Sequence, residues 1–400
     1  MPRALLLENI HPLATEILTD AGYEVTTRTA ALDEDDLIAA LDGVSVLGIR
    51  SKTQVTERVL ANSTLDAVGA FCIGTNQIDL AAAARRGVAV FNAPFSNTRS
   101  VVELAVGEII ALTRRLTVQN SSLHAGLWNK SATGAHEVRG RTLGIVGYGN
   151  IGTQLSVVAE ALGMHVVFYD TAEKLALGNA RRMSSLEELL EQADIVTLHV
   201  DGRPGNAGMF GAQQFAAMRT GAIFLNLSRG FLVDYSVLRE RVLDGSLAGA
   251  AVDVFPEEPR SKGDPFDSEL RGLANVILTP HIGGSTEEAQ HDIGVFVAGK
   301  LRDYARAGAT YLSVNVPGLV LDHPRVGTHR IALLHSNVPG VMASLNDALA
   351  KHGANVEYQV LGTWGEIGYA VTDIAGEEPA AIVAELEALP TTIRAVVHRG

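Results

Sequence analysis

Cysteine is nearly missing from this sequence: Cys72 is the only one in 400 residues. That excludes an internal disulfide and fits a reducing compartment, and in Ala70-Phe71-Cys72-Ile73 it reads as a buried apolar residue. Aromatics are sparse, at 5%. No apolar run approaches the roughly 20 residues of a membrane span. Leu5-Leu6-Leu7 is too short for a secretory signal and runs into Glu8, so a cytoplasmic location is expected. Positive charge is in deficit, with 32 Lys and Arg against 45 Asp and Glu and a net charge of −13. Nucleic acid and anionic membrane are therefore poor partners, and an anionic substrate needs a few local cations. No Cys/His metal site is evident. The hydrophobic fraction of 47% over 400 residues suits two or three domains with real cores.

What the sequence does have is Leu143-Gly144-Ile145-Val146-Gly147-Tyr148-Gly149-Asn150-Ile151-Gly152. An apolar strand enters G-x-G-x-x-G, a helical pattern follows, and His165 to Tyr169 reads as a second strand ending at Asp170. This is the dinucleotide-binding βαβ signature. Gly147 permits the tight turn, Gly149 leaves room for a pyrophosphate, and Gly152 lets the helix pack on the sheet. The helix N-terminus at Asn150 and Ile151 offers free N–H groups to the phosphates. Asp170 can accept from both ribose hydroxyls and would repel a 2′-phosphate, so NAD is expected over NADP.

Before this unit, residues 1–92 alternate short apolar strands with helical patterns, which predicts a parallel sheet covered on both faces. Arg50-Ser51-Lys52-Thr53 follows the strand at 44–49. Two cations at such a strand end suit an anion clamp; on position alone, surface charge is an equal reading. Residues 93–100 read as a loop into a long apolar helix from Val101 to about Leu116, with Ser100 and Glu103 as a capping box. After position 143, six strands suit a double βαβαβ sheet. Residues 287–308 are helical, 317–328 read as a linker rich in Pro and Gly, and the last 75 residues give βαββαβ, the ferredoxin-like order. The domains expected are 1–96 with 287–316, the nucleotide domain 97–286, and 329–400. The fold class is therefore α/β: two parallel-sheet domains and a small C-terminal one.

Three loops at successive strand ends carry polar groups suited to hydride chemistry on a 2-hydroxy acid. Arg229 can grip a carboxylate through two parallel N–H bonds. His281 is a natural proton shuttle. A carboxylate on its other ring nitrogen would stabilise the imidazolium and fix the tautomer; Glu257 and Glu258 both qualify.

With these motifs in view, the chain resembles the D-2-hydroxyacid dehydrogenase family, of the type with a C-terminal ACT domain. The likeness spans nearly the whole chain and is specific in residues 72–102 and in residues 279–290, Thr-Pro-His-Ile-Gly-Gly-Ser-Thr-Glu-Glu-Ala-Gln. It implies that Arg229 holds substrate, His281 is the acid/base, and Glu258 rather than Glu257 completes the dyad. It implies cofactor contacts from Leu227, Ser228, Asp253, Gly283 and Gly284, and substrate contacts from Arg50, Lys52 and Asn97. The implied reaction is oxidation of 3-phosphoglycerate to 3-phosphohydroxypyruvate, the first step toward L-serine, and related enzymes also reduce 2-oxoglutarate at the same site. In the C-terminal domain, His335, Asn337 and Asn355 match residues that bind serine as feedback inhibitor in relatives, which are commonly homotetramers. Two other readings stand beside this: a glyoxylate or hydroxypyruvate reductase, and a non-enzymatic, NAD-sensing corepressor. The sequence departs from the family pattern at Asp201 and Asn206, where Pro and Thr are usual, and at Lys52, where a second Arg is common.

Overall fold

The structure, a computed structural model, describes residues 1–259, 263–376 and 379–399. By its internal contacts the chain forms two compact units, one of Met1–Ser96 with Gln290–Gly400 and one of Asn97–Ala289.

The first unit begins with a five-stranded parallel sheet of Arg3–Leu6, Glu24–Thr27, Val44–Ile49, Ala67–Ala70 and Ala89–Phe91. Numbered in chain order, these strands lie 2-1-3-4-5 across the sheet. The inner strands are apolar on both faces because helices cover both; Leu47, Ile49, Ala67 and Val68 are fully buried. The order reverses between the first and third strands, which is where open sheets bind ligands.

The same unit holds a four-stranded antiparallel sheet of Thr328–Ser336, Asn355–Trp364, Ile367–Ala375 and Thr392–Arg399, in the order 2-3-1-4. This is the ferredoxin-like arrangement expected. Its core packs Ile331, Leu333, Ala370 and Ile374 against Leu345, Leu349, Ile382 and Leu386 of its two helices. The sheet also closes the C-terminus of helix Glu287–Ala307, whose last carbonyls have no partner within the helix. His398 Nδ1 lies 3.0 Å from the Ala305 carbonyl, Arg330 donates to Ala307 O, and Tyr369 donates to Gly308 O.

The second unit is a seven-stranded parallel sheet of Thr142–Val146, His165–Tyr169, Arg181–Arg182, Ile195–Leu198, Ala222–Asn226, Leu247–Val252 and Val276–Leu278, which lie in the order 3-2-1-4-5-6-7. Its reversal falls between Thr142–Val146 and Ile195–Leu198, so the glycine turn emerges at the switch point. The third of these strands, Arg181–Arg182, is additional to the six expected: two exposed residues with no apolar signal to betray them in the sequence. The long helix also differs from expectation. It runs Thr98–Thr113, breaks at Arg115 in the left-handed region (φ 55°), and resumes as Leu116–His124. Because it starts a turn early, Ser100 and Glu103 lie inside it and form no capping box. Ser100 instead bonds Thr286 Oγ1 at 2.8 Å, and Glu103 accepts from Arg99. Cys72 is only partly buried, with Sγ 3.1 Å from Gly74 O.

Candidate active site

Each glycine of the fingerprint has a checkable reason. Gly147 sits at φ 93°, and a Cβ there would press on the His199 carbonyl. A Cβ on Gly152 would collide with Gly147 O, whereas Gly149 faces open space. Gly149 caps the helix Asn150–Ala161 with no side chain, so the first N–H groups stay available. Asp170 braces the turn: Oδ2 accepts Tyr148 N–H and Oδ1 accepts Ala172 N–H, at 2.9 and 2.8 Å. Each carboxylate oxygen keeps a further lone pair for a ribose hydroxyl. The cradle and its acid fit a dinucleotide. Asp201 and Asn206 make a closed turn of their own. Asp201 pairs with Arg203, and Asn206 Nδ2 donates to both the carbonyl and the carboxylate of Asp201, at 3.0 Å each.

Three strand ends of the same sheet converge on the polar cluster. His281 Nδ1 is 2.9 Å from Glu258 Oε2 and 3.1 Å from Oε1. The dyad partner is thus Glu258, and Glu257 makes no such contact. Phe255 N–H donates to Glu258 Oε1 and fixes that carboxyl from the backbone. Burial pushes the Glu258 carboxyl up, but the His281 hydrogen bond and charge, the Phe255 N–H and the Arg229 charge outweigh it and hold it below the ordinary carboxylate range. Arg229 is half-buried, with Nη1 donating to Ser228 O at 2.6 Å.

Asn226 and Tyr235 support Arg229, and neither was singled out from the sequence. Asn226 is fully buried; its Nδ2 donates to Arg229 O and its Oδ1 accepts Ser228 N–H. Tyr235 donates to Val254 O, and burial pushes its phenol well up. Gly230 is the hidden requirement, since a Cβ there would run into the Phe255 carbonyl and Pro256 nitrogen. The Arg229 turn therefore packs directly on the backbone that carries Glu258. A glycine after the arginine was the only sequence signal for it.

His281 itself is held in the left-handed region at φ 56°, uncommon for a residue with a side chain. Asp253 imposes this. Oδ1 accepts the Thr279 hydroxyl at 2.6 Å and Ile282 N–H at 2.8 Å, and Oδ2 accepts Gly283 N–H at 2.8 Å. Asn97 lies against Gly284, where its amide nitrogen fills the space a Cβ would take. Leu227 and Ser228 are buried, and the Ser228 hydroxyl turns inward to Leu198 O.

Arg50 and Lys52 belong to the first unit, at its own switch point. Arg50 follows the third strand, and its carbonyl accepts Gln77 Nε2–H at 2.7 Å. Glu8, at the end of the first strand and in the left-handed region (φ 64°), accepts Lys52 N–H at 3.0 Å and Thr53 N–H at 2.9 Å. A buried carboxylate thus shapes the loop that presents both cations. In the C-terminal sheet, His335 and Asn337 stand at one end and Asn355 at the other. His335 pairs with Gly368 and Asn355 with Ala375 of the same central strand, about 23 Å apart at ~3.3 Å per residue. One chain does not bring the three together. His335 is buried, with Nδ1 on Ser336 O and Nε2 unpartnered.

Residues 106–283 match the family described as D-isomer specific 2-hydroxyacid dehydrogenase, NAD binding domain, and residues 331–394 match an AHAS small subunit-like ACT domain. A D-3-phosphoglycerate dehydrogenase of Escherichia coli K12 is 48% identical over 395 residues, covering 98% of this chain and 96% of its own. D-3-phosphoglycerate dehydrogenase 2 of Saccharomyces cerevisiae is 49% identical over 390 residues, covering 94% and 83%. Among solved structures, a D-lactate dehydrogenase of Aquifex aeolicus with NAD and lactic acid aligns with TM-score 0.67 and 25% identity, over 75% of this chain and 95% of its own.

Proposed function

This chain belongs to the D-2-hydroxyacid dehydrogenase family, and on that premise we propose that it oxidises 3-phosphoglycerate to 3-phosphohydroxypyruvate, the first step toward L-serine. The observation that carries the reading is the His281–Glu258 pair with the Arg229 charge acting on it, in a chain nearly half identical over its length to named D-3-phosphoglycerate dehydrogenases.

In this reading Arg229 holds the substrate carboxylate and polarises the C2 oxygen. His281 takes the hydroxyl proton on Nε2, the nitrogen that Glu258 leaves free, and returns it in the reverse direction. Glu258 holds the ring tautomer and offsets the imidazolium charge. Gly147, Gly149, Asn150, Ile151 and Gly152 cradle the NAD pyrophosphate, Asp170 takes the ribose, and Leu227, Ser228, Asp253, Gly283 and Gly284 line the nicotinamide end. Bound NAD supplies the hydride acceptor. Arg50 and Lys52 bind the substrate phosphate, and Asn97 its body. Lys52 acts as a point charge where Arg would offer a fork.

The domains proposed are 1–96 with 287–316 for substrate, 97–286 for NAD, 317–328 as linker and 329–400 as regulator. L-serine is the proposed effector. With Asn355 at the far end of the sheet, a site that uses it beside His335 and Asn337 takes its parts from two copies of the chain. Asn suits such a ligand, donating to its carboxylate and accepting from its ammonium. That arrangement agrees with a homotetramer; the location proposed is the cytoplasm. No helix among the described residues is long and apolar enough to cross a membrane.

The test is NADH formation from 3-phosphoglycerate, glycerate and 2-hydroxyglutarate, each with and without L-serine. Strong preference for the phosphorylated acid and a fall in rate with serine support the reading. Equal rates on glycerate refute the Arg50 assignment, and no activity on any of them refutes the enzyme.

A further inference from the structure

Glu108 is a carboxylate the proposed reaction does not use, set where a charge is hard to keep. It is 4% exposed, on helix Thr98–Thr113, and neither of its oxygens has a hydrogen-bond partner. Val101 and Leu104 of the same helix lie beside Gly283, within van der Waals reach of a Cβ placed there, and that Cβ would also meet Asp253 Oδ2. Spacing of three and four residues puts Glu108 on the same stripe, one turn further along.

Glu108 thus stands one turn along the stripe that packs by the Asp253 clamp, near enough for the Asp253 charge to act on it, and the partners of the two carboxyls differ. Asp253 accepts three hydrogen bonds from the turn that carries His281, a pattern that needs acceptors only. Glu108 has none. A second negative charge in an apolar site beside the first is costly, so the unpartnered group keeps its proton.

We infer that Glu108 is a positioning residue: a neutral, proton-holding acid beneath the Asp253 clamp, whose ionisation sets Asp253 against a second charge and loosens the left-handed turn that aims His281. The inference rests on the reading of His281 as acid/base. Burial, with the Asp253 charge behind it, pushes the Glu108 carboxyl up to about 8, so the change falls within a workable range. The other elements packed on this helix add little charge toward it. Strands Ala222–Asn226, Leu247–Val252 and Val276–Leu278 carry no ionisable residue. The one on helix Asn150–Ala161, Glu160, has its carboxylate where a Cβ of Gly178 would stand, and the one on helix Leu116–His124, His124, is exposed at that helix's far end. On its own helix, Arg99 and Glu103 are exposed and pair with each other.

The experiment compares wild type with Glu108→Gln, a neutral isostere, and Glu108→Met, an apolar one of similar length in case the amide does not fold. The variant-to-wild-type ratio of kcat/KM for 3-phosphoglycerate is expected to be level below about pH 7 and to climb several-fold between about pH 7 and pH 9. In parallel, the thermal stability of the variants relative to wild type should rise with pH from about 5 to 8 and then level off, because only the folded wild type holds that proton. A ratio that stays flat across the range overturns the inference. A flat stability difference overturns the protonation itself. Wild type inactive on 3-phosphoglycerate would defeat the proposed function while leaving the stability arm readable.

Discussion

The imidazole of His281 and the carboxylate of Glu258 are joined through Nδ1 at 2.9 Å, and the same carboxylate takes the Phe255 N–H at 3.1 Å. The bond orients the ring through a group that is itself pinned to backbone, and it commits only one ring nitrogen. Glu258 lies below the ordinary carboxylate range, burial opposing the shift and His281 driving it. Its stabilising contribution is therefore complete above an ordinary carboxylate pKa of about 4.3 and is lost as pH falls through the lowered value. Wild type should be more stable than Glu258→Gln just above that point, and the margin should close in acid. Thermal denaturation against pH checks this, and a margin that persists into strong acid contradicts it.

Arg50 stands at the reversal of the first sheet, on a loop shaped by Glu8. Arg50→Ala should raise the KM for 3-phosphoglycerate by about ten- to a hundredfold, the worth of a lost charged hydrogen bond, with a much smaller change for glycerate. Steady-state kinetics on both substrates decide it; equal effects on the two would place Arg50 elsewhere.

Gly230 has no room for a side chain, because a Cβ would meet the Phe255–Pro256 peptide. Gly230→Ala should cost about 1–3 kcal/mol of stability as an overpacked site. It should also lower kcat/KM more than kcat-neutral surface changes do, since both Arg229 and the Glu258 loop must move. Denaturant titration with parallel kinetics reads both effects.

Arg330 and Asp373 form a doubly bonded pair at 2.6 and 2.7 Å, with side chains 4% and 10% exposed, and Arg330 also donates to Ala307 O and Asp322 O. Asp373→Asn leaves a buried guanidinium without its counter-charge. A loss of about 3–5 kcal/mol is expected, and a smaller loss when both residues are replaced by apolar ones of similar volume. Chemical denaturation of the single and double variants measures it.

How much of this was legible in the sequence depends on what each feature needs. The glycine turn and Asp170 could be read because φ, contact distance and charge each demand one residue type at one spacing. The three strand-end residues could be read as a set, but the residues alone did not separate Glu258 from Glu257; the resemblance chose Glu258, and the loop sets that carboxylate on His281 Nδ1 and the Phe255 N–H. The start of the helix at Thr98 was hidden, because Ser100 and Glu103 make a plausible cap that a tertiary bond to Thr286 and an i,i+4 pair with Arg99 override. Asn226, Glu8 and Glu108 were invisible for a common reason: each acts through a partner distant in sequence or through the lack of one. The separation of Asn355 from His335 likewise follows from strand register, which residue identity alone does not reveal.

In the reaction proposed, His281 moves the proton of the reacting hydroxyl. The most direct test is kcat for NADH formation from 3-phosphoglycerate by His281→Ala, with NAD binding measured alongside by fluorescence titration. The account predicts a fall of about a hundredfold or more in a variant that still binds NAD; a kcat within about twofold of wild type would contradict it.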